Sequence, residues 1–363
     1  MIGGGVGGLS CARRLSLLGV DTLLLEAGTV AGGASGRNGG FLIAGTAVFP
    51  NDAHRRFGAE RARAMYSRTL AAQEEVYELA DELGAGDALR RVGLLRLAVS
   101  EEEAEHVRDH ADALREDGFP AELVERDELP EPLRRSGLVA CFTEHDGALH
   151  PVRWYRMLAQ AAEAAGARIA EGTRVREPVP APGDGPVVTD GGGVRARHVV
   201  VAADGALPAL VPDYAGRVRA RRLHMVATAP APKLFEPLVY ARFGFEYLQQ
   251  RPDGRILAGG FSDLDGDDSY TDSDAGIPVV WERVQRYLRE EIGVDAEITH
   301  RWAGVVGYSE DSLPFVGEVP GRERLYVMGG YSGVGNVPGY MCGRDLADAI
   351  AGNGAAPLFP ADR

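Results

Sequence analysis

The chain opens with Gly3-Gly4-Gly5-Val6-Gly7-Gly8, a G-x-G-x-x-G turn, and an acidic residue, Glu26, follows about 20 residues on. In such a turn Gly3 permits the tight bend, and Gly5 lets the backbone, with Val6 behind it, approach a pyrophosphate. Gly8 lets the next helix pack closely on its strand. Glu26, with Ala27 after it, ends a short apolar run and can accept hydrogen bonds from a ribose 2′-hydroxyl, while repelling a 2′-phosphate. This is the pattern of a dinucleotide site, with phosphates facing a helix N-terminus.

The elements needed to position that turn follow in order. Residues 9–18 read as a helix ended by Gly19, and residues 22–25 as a buried strand carrying Glu26 at its carboxyl end. Only Met1 and Ile2 precede Gly3, whereas a buried parallel strand has about five residues. Either the natural start lies upstream, or the sheet lacks its central strand and holds its nucleotide poorly.

With 363 residues the chain can bury a large core and favours two domains or one domain with an excursion. A net charge of −14 and the lack of a basic run exclude a nucleic-acid partner, and no apolar run approaches the ~20 residues of a membrane span. A cytoplasmic protein is expected. Cys11, Cys141 and Cys342 lie far apart, with neither metal nor disulfide spacing, so no metal is expected. His54, His145 and His224 show no partner pattern, and His150 reads as structural.

Further along, residues 52–83 have a helical apolar stripe from Phe57 through Leu79, 92–99 alternate as a strand, and 101–116 form an acidic solvated helix. Residues 152–165 read as a helix, 173–175 as a short strand and 194–202 as a buried strand. Residues 219–229, 243–249 and 255–260 alternate as an antiparallel sheet, with a turn at Pro252-Asp253-Gly254. A strand at 325–328, a glycine run and a helix at 340–350 close the chain. The fold class is therefore α/β, α+β overall: a Rossmann-type domain, discontinuous over 1–84, 146–212 and 301–363, with an antiparallel β-sheet substrate domain over 85–145 and 213–300.

Residues 32–40, Gly-Gly-Ala-Ser-Gly-Arg-Asn-Gly-Gly, resemble the second flavin loop of the D-amino acid oxidase superfamily of FAD-dependent oxidoreductases, and within it the γ-glutamylputrescine oxidase type. Gly147–Pro151, Arg255–Gly260, Trp302-Ala303-Gly304 with Leu313-Pro314, and Tyr331–Gly335 extend the likeness over nearly the whole chain. The resemblance implies FAD. Ser35 and Arg37 would bind pyrophosphate oxygens, and Asn38-Gly39-Gly40 would lie against the isoalloxazine ring. Val175 would serve the adenine, Ala203 and Gly205 the ribose and phosphates, and Gly304, Gly333, Val334, Gly335 and Asn336 the ring. That last run can offer N–H groups to negative charge on a reduced flavin.

The resemblance also implies hydride transfer from the carbon beside an amine nitrogen to flavin N5, giving an imine that water hydrolyses. The substrate would be a small primary or secondary amine, γ-glutamyl-polyamine-like compounds first, with oxygen as acceptor. A dehydrogenase or biosynthetic tailoring enzyme using another acceptor is the enzymatic alternative, and a flavin-binding protein without turnover the other. Tyr247, Trp302, Tyr308 and Tyr331 are candidate walls for the amine, and Arg242 a candidate carboxylate ligand. Three departures bear on this. Val334 stands where the family usually has His. Val305-Val306-Gly307 follow Ala303-Gly304 where glycine and D-amino acid oxidases place a carboxylate-binding Arg. Lys233, the sole lysine, sits in a Pro-rich loop rather than in the sheet. With no cysteine from Trp302 to Pro314, the thioether of the sarcosine oxidases is not expected and the FAD would be non-covalent.

Overall fold

The computed structural model describes residues 1–354 and 357–363. Two sheets organise the chain. The first is a largely parallel sheet in which Leu23–Leu25 pairs with Arg168–Ala170 on one side. On the other side Val199–Val201 pairs with Leu325–Gly329, which pairs antiparallel with Phe315–Glu318. Ile2 joins the two halves: its N–H donates to Val200 at 2.8 Å, its carbonyl accepts from Ala202 at 2.8 Å, and Gly3 N–H donates to Leu25 at 2.9 Å. Two residues therefore fill the central position that usually takes a longer strand. The apolar runs here are continuous rather than alternating because helices cover the sheet, and Leu24, Val200 and Val327 are buried. The helices Val6–Leu17 and Asn336–Ile350 pack against each other through small residues, with a Cβ at Gly343 falling 2.9 Å from the Cys11 nitrogen.

The second sheet has eight strands, in the order 298–309, 218–228, 256–260, 246–250, 238–241, 94–98, 139–143, 122–125. All its pairings are antiparallel except that of Leu238–Ala241 with Leu94–Ala98. One face buries Leu95, Leu97, Val239, Leu248 and Ala258 against the helix Pro278–Tyr287. The opposite face, set by the two-residue period, carries Arg96, Tyr240, Tyr247, Gly259 and Met225 in one cross-strand row.

Local differences from the sequence reading have local causes. The long helix at 52–83 is two, Pro50–Phe57 and Ala59–Glu82, broken at Gly58. The helix Glu101–Glu116 is amphipathic rather than solvated, burying Val107, His110, Ala111 and Leu114. Residues 173–175 form no strand; Val175 makes one bridge to Thr189, within a hairpin of Val187–Thr189 and Gly192–Val194. Buried strand at 194–202 is confined to Val199–Val201. Arg242–Gly244 is a tight turn with Arg242 and Phe243 at φ 48° and 54°, so the strand begins only at Glu246. The domain boundary drawn at 301 falls inside the strand Ile298–Ser309, which belongs to the eight-stranded sheet through its whole length.

Glu246 points to the helix-covered side, where Arg242 donates to it at 2.8 Å and one carboxylate oxygen has no partner among the described residues. Burial pushes its carboxyl up to about 7, opposed by Arg242 and Arg283 and reinforced by Glu291. The folded protein thus holds a proton that the unfolded chain releases near 4.5, and stability falls as pH rises from that value through about 7. Glu246→Gln should flatten this slope. Melting temperature measured against pH for both proteins checks it.

Candidate active site

Three glycine-bearing turns converge on one cleft. Residues 3–7, the stretch 25–27, 32–35 with Asn38, 173–175, 202–206 and the run Gly333, Gly335, Asn336 all line it. Gly3 sits at φ 107° and a Cβ there would collide with the Ala202 carbonyl, while a Cβ at Gly8 would collide with the Gly3 carbonyl. Only glycine allows the first helix and the strand end at 201 to meet this closely. A Cβ on Gly5 would lie 2.9 Å from Ser35 Oγ, which accepts a hydrogen bond from Val6 N–H at 2.9 Å. The Ser35 hydroxyl proton remains free to donate. Val6, Glu26, Ala27, Val175, Ala203 and Gly205 line the cleft, and the Glu26 carboxylate accepts from Gly4 and Gly28 N–H groups at 2.7 Å each.

Beyond Asn38 the cleft opens into a second cavity, which shares Ala34, Asn38, Val306, Gly333, Gly335 and Asn336 with it. This cavity lies under the polar face of the eight-stranded sheet. Its lining includes Gly39, Gly304, Val334, Phe49, Arg96, Arg221, Tyr240, Tyr247 and Tyr308, and contains no Asp or Glu. Asn38 and Asn336 bind each other across the junction at 3.2 Å, and Asn336 is fixed in turn by Tyr155 at 2.6 Å and the Phe41 carbonyl at 2.8 Å. Gln249 donates to the Gly39 carbonyl. Gly40 lines neither cavity; at φ 77°, a Cβ there would run into the Leu149 carbonyl and Gln249. The cavity wall at Ile43–Thr46 is held from behind, where Asp146 accepts from Ala44 N–H at 2.9 Å and Gln73 at 3.1 Å.

Four candidates stand elsewhere than the sequence reading put them. Arg242, on its turn, pairs with Glu246 at 2.8 Å and Asp263 at 3.1 Å and does not line the cavity. The Trp302 indole donates to the Arg37 carbonyl at 2.8 Å and borders a separate shallow recess, so it braces the 32–40 loop and does not line the second cavity. Tyr331 lines the nucleotide cleft, its ring beneath the first helix with the hydroxyl 3.0 Å from where a Gly7 Cβ would sit. Arg37 lines the second cavity rather than the nucleotide cleft, paired with Asp274 and donating to Ala303 carbonyl at 3.2 Å. What the nucleotide cleft offers an anion is therefore backbone N–H groups and the first helix's N-terminus, with Arg37 turned to the second cavity. Tyr247 and Tyr308 do face the second cavity.

Other residues of the site were absent from the sequence reading. Asp204 is half-buried at the cleft wall, accepting from Gly307 N–H at 2.8 Å and Gly330 N–H at 2.9 Å; desolvation raises its carboxyl and those bonds oppose the shift. Arg221 and Arg96 enter the cavity because they occupy inward positions of alternating strands, Arg221-Leu223-Met225 and Leu95-Arg96-Leu97. That signal was available: within a strand of known extent the period of two puts these arginines on the face opposite the leucines of the core.

The profile described as FAD dependent oxidoreductase, abbreviated DAO, matches residues 1–349. The chain belongs to this family. It is 30% identical to the "Probable oxidoreductase OrdL" of Rhizobium meliloti over 97% of this chain and 82% of that protein. It is 25% identical to the gamma-glutamylputrescine oxidoreductase of Escherichia coli over 97% of this chain and 83% of that protein. Glycine oxidase from Geobacillus kaustophilus superposes with a TM-score of 0.80 at 23% identity, covering 98% of this chain and 94% of that one. The cofactor of this oxidoreductase is FAD, and the cleft fits it. Space at Gly3 and Gly5 is left free of Cβ atoms, a carboxylate stands at one end, and the path is continuous from Glu26 to Gly333. Among the described residues no helix is long and apolar enough to cross a membrane, and no cluster of His, Cys, Asp or Glu could hold a metal.

Gly5→Val should place branched carbons where the pyrophosphate must lie. The variant is expected to purify with native circular dichroism and with less than a tenth of the wild-type flavin absorbance per protein absorbance.

Proposed function

We propose that this oxidoreductase is of the amine and amino acid oxidase type, oxidising the C–N bond of a primary or secondary amine that carries a carboxylate. The observation that carries the reading is the second cavity, which is continuous with the FAD cleft, walled by Tyr240, Tyr247 and Tyr308, and contains Arg221 with no carboxylate partner among the described residues. FAD, when bound, supplies a hydride acceptor at N5, and the imine left on the substrate is hydrolysed by water.

The chain's own residues position and prepare the amine. Arg221 is oriented by Ser269 Oγ at 3.1 Å and Ser262 Oγ at 3.2 Å, and lies 5.2 Å from the centre of the Tyr308 ring. It stands directly opposite Val306 in the strand pairing, so its guanidinium serves the stretch of cavity reached by an arginine after the Ala-Gly pair in glycine and D-amino acid oxidases. The carboxylate anchor is thus supplied from the neighbouring strand. A cavity with cations and no acid also disfavours an ammonium, so the bound amine loses its proton more readily and presents the nitrogen lone pair that hydride loss requires. The same field disfavours a free polyamine, whereas a γ-glutamylated amine retains a carboxylate and stays within the class. Gly39, Gly304, Val334 and Gly335 line the wall proposed for the ring, with Ser35, Val175, Ala203 and Gly205 proposed along the nucleotide path.

We assign oxygen as the electron acceptor. Val334 and the absence of lysine from the cavity favour, as a second reading, a dehydrogenase that passes electrons to another acceptor. Anaerobic mixing with amino acids and γ-glutamyl amines should bleach the flavin, and admission of air should restore the colour within seconds. Slow restoration selects the dehydrogenase, and no bleaching by any amine overturns the amine reading. Arg221→Met should raise KM for a carboxylated amine by about 10- to 100-fold, the effect of removing a charge-assisted hydrogen-bonded pair.

A further inference from the structure

We propose that the recess around Arg96 is a second anion subsite of the same cavity, so that the substrate is an amine bearing two negative groups, one held at Arg221 and the other at Arg96. This rests on the reading of the cavity as the amine site. Arg96 extends from the strand Leu94–Ala98, whose neighbours Leu95 and Leu97 are buried on the other face. Its guanidinium lies 4.7 Å from the centre of the Phe49 ring and 5.6 Å from that of Tyr240, and it makes no ion pair among the described residues.

The acids nearby are engaged elsewhere. Glu103, which shares the recess, accepts from Phe243 N–H at 3.0 Å and Val99 N–H at 2.9 Å, one on each oxygen. Asp52 pairs with His106 at 3.0 Å and with Arg55 at 2.5 Å. His110, beside Phe49, is driven toward the neutral form by burial, so it neither competes for an anion nor supplies the charge. Glu103 is a charged neighbour but spends its oxygens on backbone, so a half-buried guanidinium between two aromatic faces, with no acid hydrogen-bonded to it among the described residues, is a site that a carboxylate completes.

The spacing selects the ligand. Arg96 and Arg221 stand on strands four steps apart in the sheet, about 19 Å at the usual strand separation, and Arg221 lies four residues, about 13 Å, along its strand from Met225, the member of the Arg96 row. Tyr240 and Tyr247, paired directly and in register with Arg96, form the apolar wall between them. Even leaning toward each other, two arginine side chains on strands this far apart leave their heads about 10 Å or more apart, so one small α-amino acid cannot touch both. A linear amine with a carboxylate, or another anion, toward each end can. The reacting C–N bond then lies along the tyrosines.

The test uses the FAD-loaded protein and simple competitors. Glutarate, adipate and pimelate are titrated calorimetrically beside monocarboxylates of equal chain length, in the wild type, Arg96→Met and Arg96→Lys. At least one dicarboxylate should bind the wild type ~10-fold or more tighter than its monocarboxylate counterpart. Arg96→Met should erase that preference while monocarboxylate affinity and melting temperature stay unchanged, and Arg96→Lys should restore part of it. Equal binding of mono- and dicarboxylates by the wild type, no binding of either, or equal weakening of both by Arg96→Met overturns the proposal. Failure of every amine to bleach the flavin, with the dicarboxylate preference intact, would instead count against the amine reading alone.

Discussion

The site depends on one half-buried carboxylate at the cleft wall that is held by backbone. Asp204, at φ 45°, sits on the turn after the strand Val199–Val201 and receives N–H groups from Gly307, in the eight-stranded sheet, and Gly330, in the C-terminal loop. A carboxylate partly withdrawn from water keeps its place when its lone pairs are taken, and here they are taken by two segments more than a hundred residues downstream. The turn after the nucleotide sheet, the long strand of the substrate sheet and the loop proposed to face the flavin are thereby fixed to one point. A second clasp, Asn38 to Asn336, fixes the 32–40 loop to the start of the last helix. Neither clasp is a contact within one element, so neither sheet alone could hold the cleft open in this shape.

The eight-stranded sheet divides its labour by face. Leucine, valine and alanine on one side pack under the helix Pro278–Tyr287, and the sheet draws its burial from there. The other side is left free for side chains that burial would penalise. Arg96, Arg221 and the tyrosines stand there on strands rather than loops, which would limit how far the carboxylate proposed to bind there could wander. Burial raises the Tyr247 and Tyr308 hydroxyls above their ordinary value, so both remain neutral walls across the working pH range.

Much of this was legible in the residues. The first glycine turn, Glu26 and the 32–40 loop announce themselves because their chemistry is local: a tight turn needs glycine at fixed offsets, and the acid follows within one strand. Side-chain partnerships between distant segments leave no such trace. Nothing in the residues around Arg242 says that Glu246 and Asp263 will claim it, nor that the Trp302 indole will turn to the Arg37 carbonyl. The turn at Arg242–Gly244 was read as strand because Phe243 and Phe245 alternate with polar positions, while Arg242 and Phe243 are left-handed and the turn is closed by the Phe245 N–H donating to the Arg242 carbonyl at 3.0 Å. Arg221 and Arg96 were accessible to period-two reasoning. An arginine beside leucines on a strand reads as a solvated residue until the partner that excludes solvent is known.

On the proposed reading, Val306 and its strand partner Arg221 show how a binding contact can be supplied from a neighbouring strand. An arginine two residues past the Ala-Gly pair would project from the strand Ile298–Ser309 into the cavity, and the valine there leaves the space apolar. Arg221 is its direct partner on the adjacent strand, where paired residues share a face and stand about 5 Å apart. A guanidinium transferred across that gap can reach the same carboxylate with a changed approach angle, provided it is oriented; Ser262 and Ser269, on the segment that follows the strand Ile256–Gly260, provide the two acceptors. That segment also carries Asp265, paired in a buried position with Arg222 at 2.8 Å, the residue next to Arg221 and pointing to the other face. Two consecutive arginines thus tie one segment to the sheet from both sides, and the anchor proposed at Arg221 is held by that segment rather than by solvent.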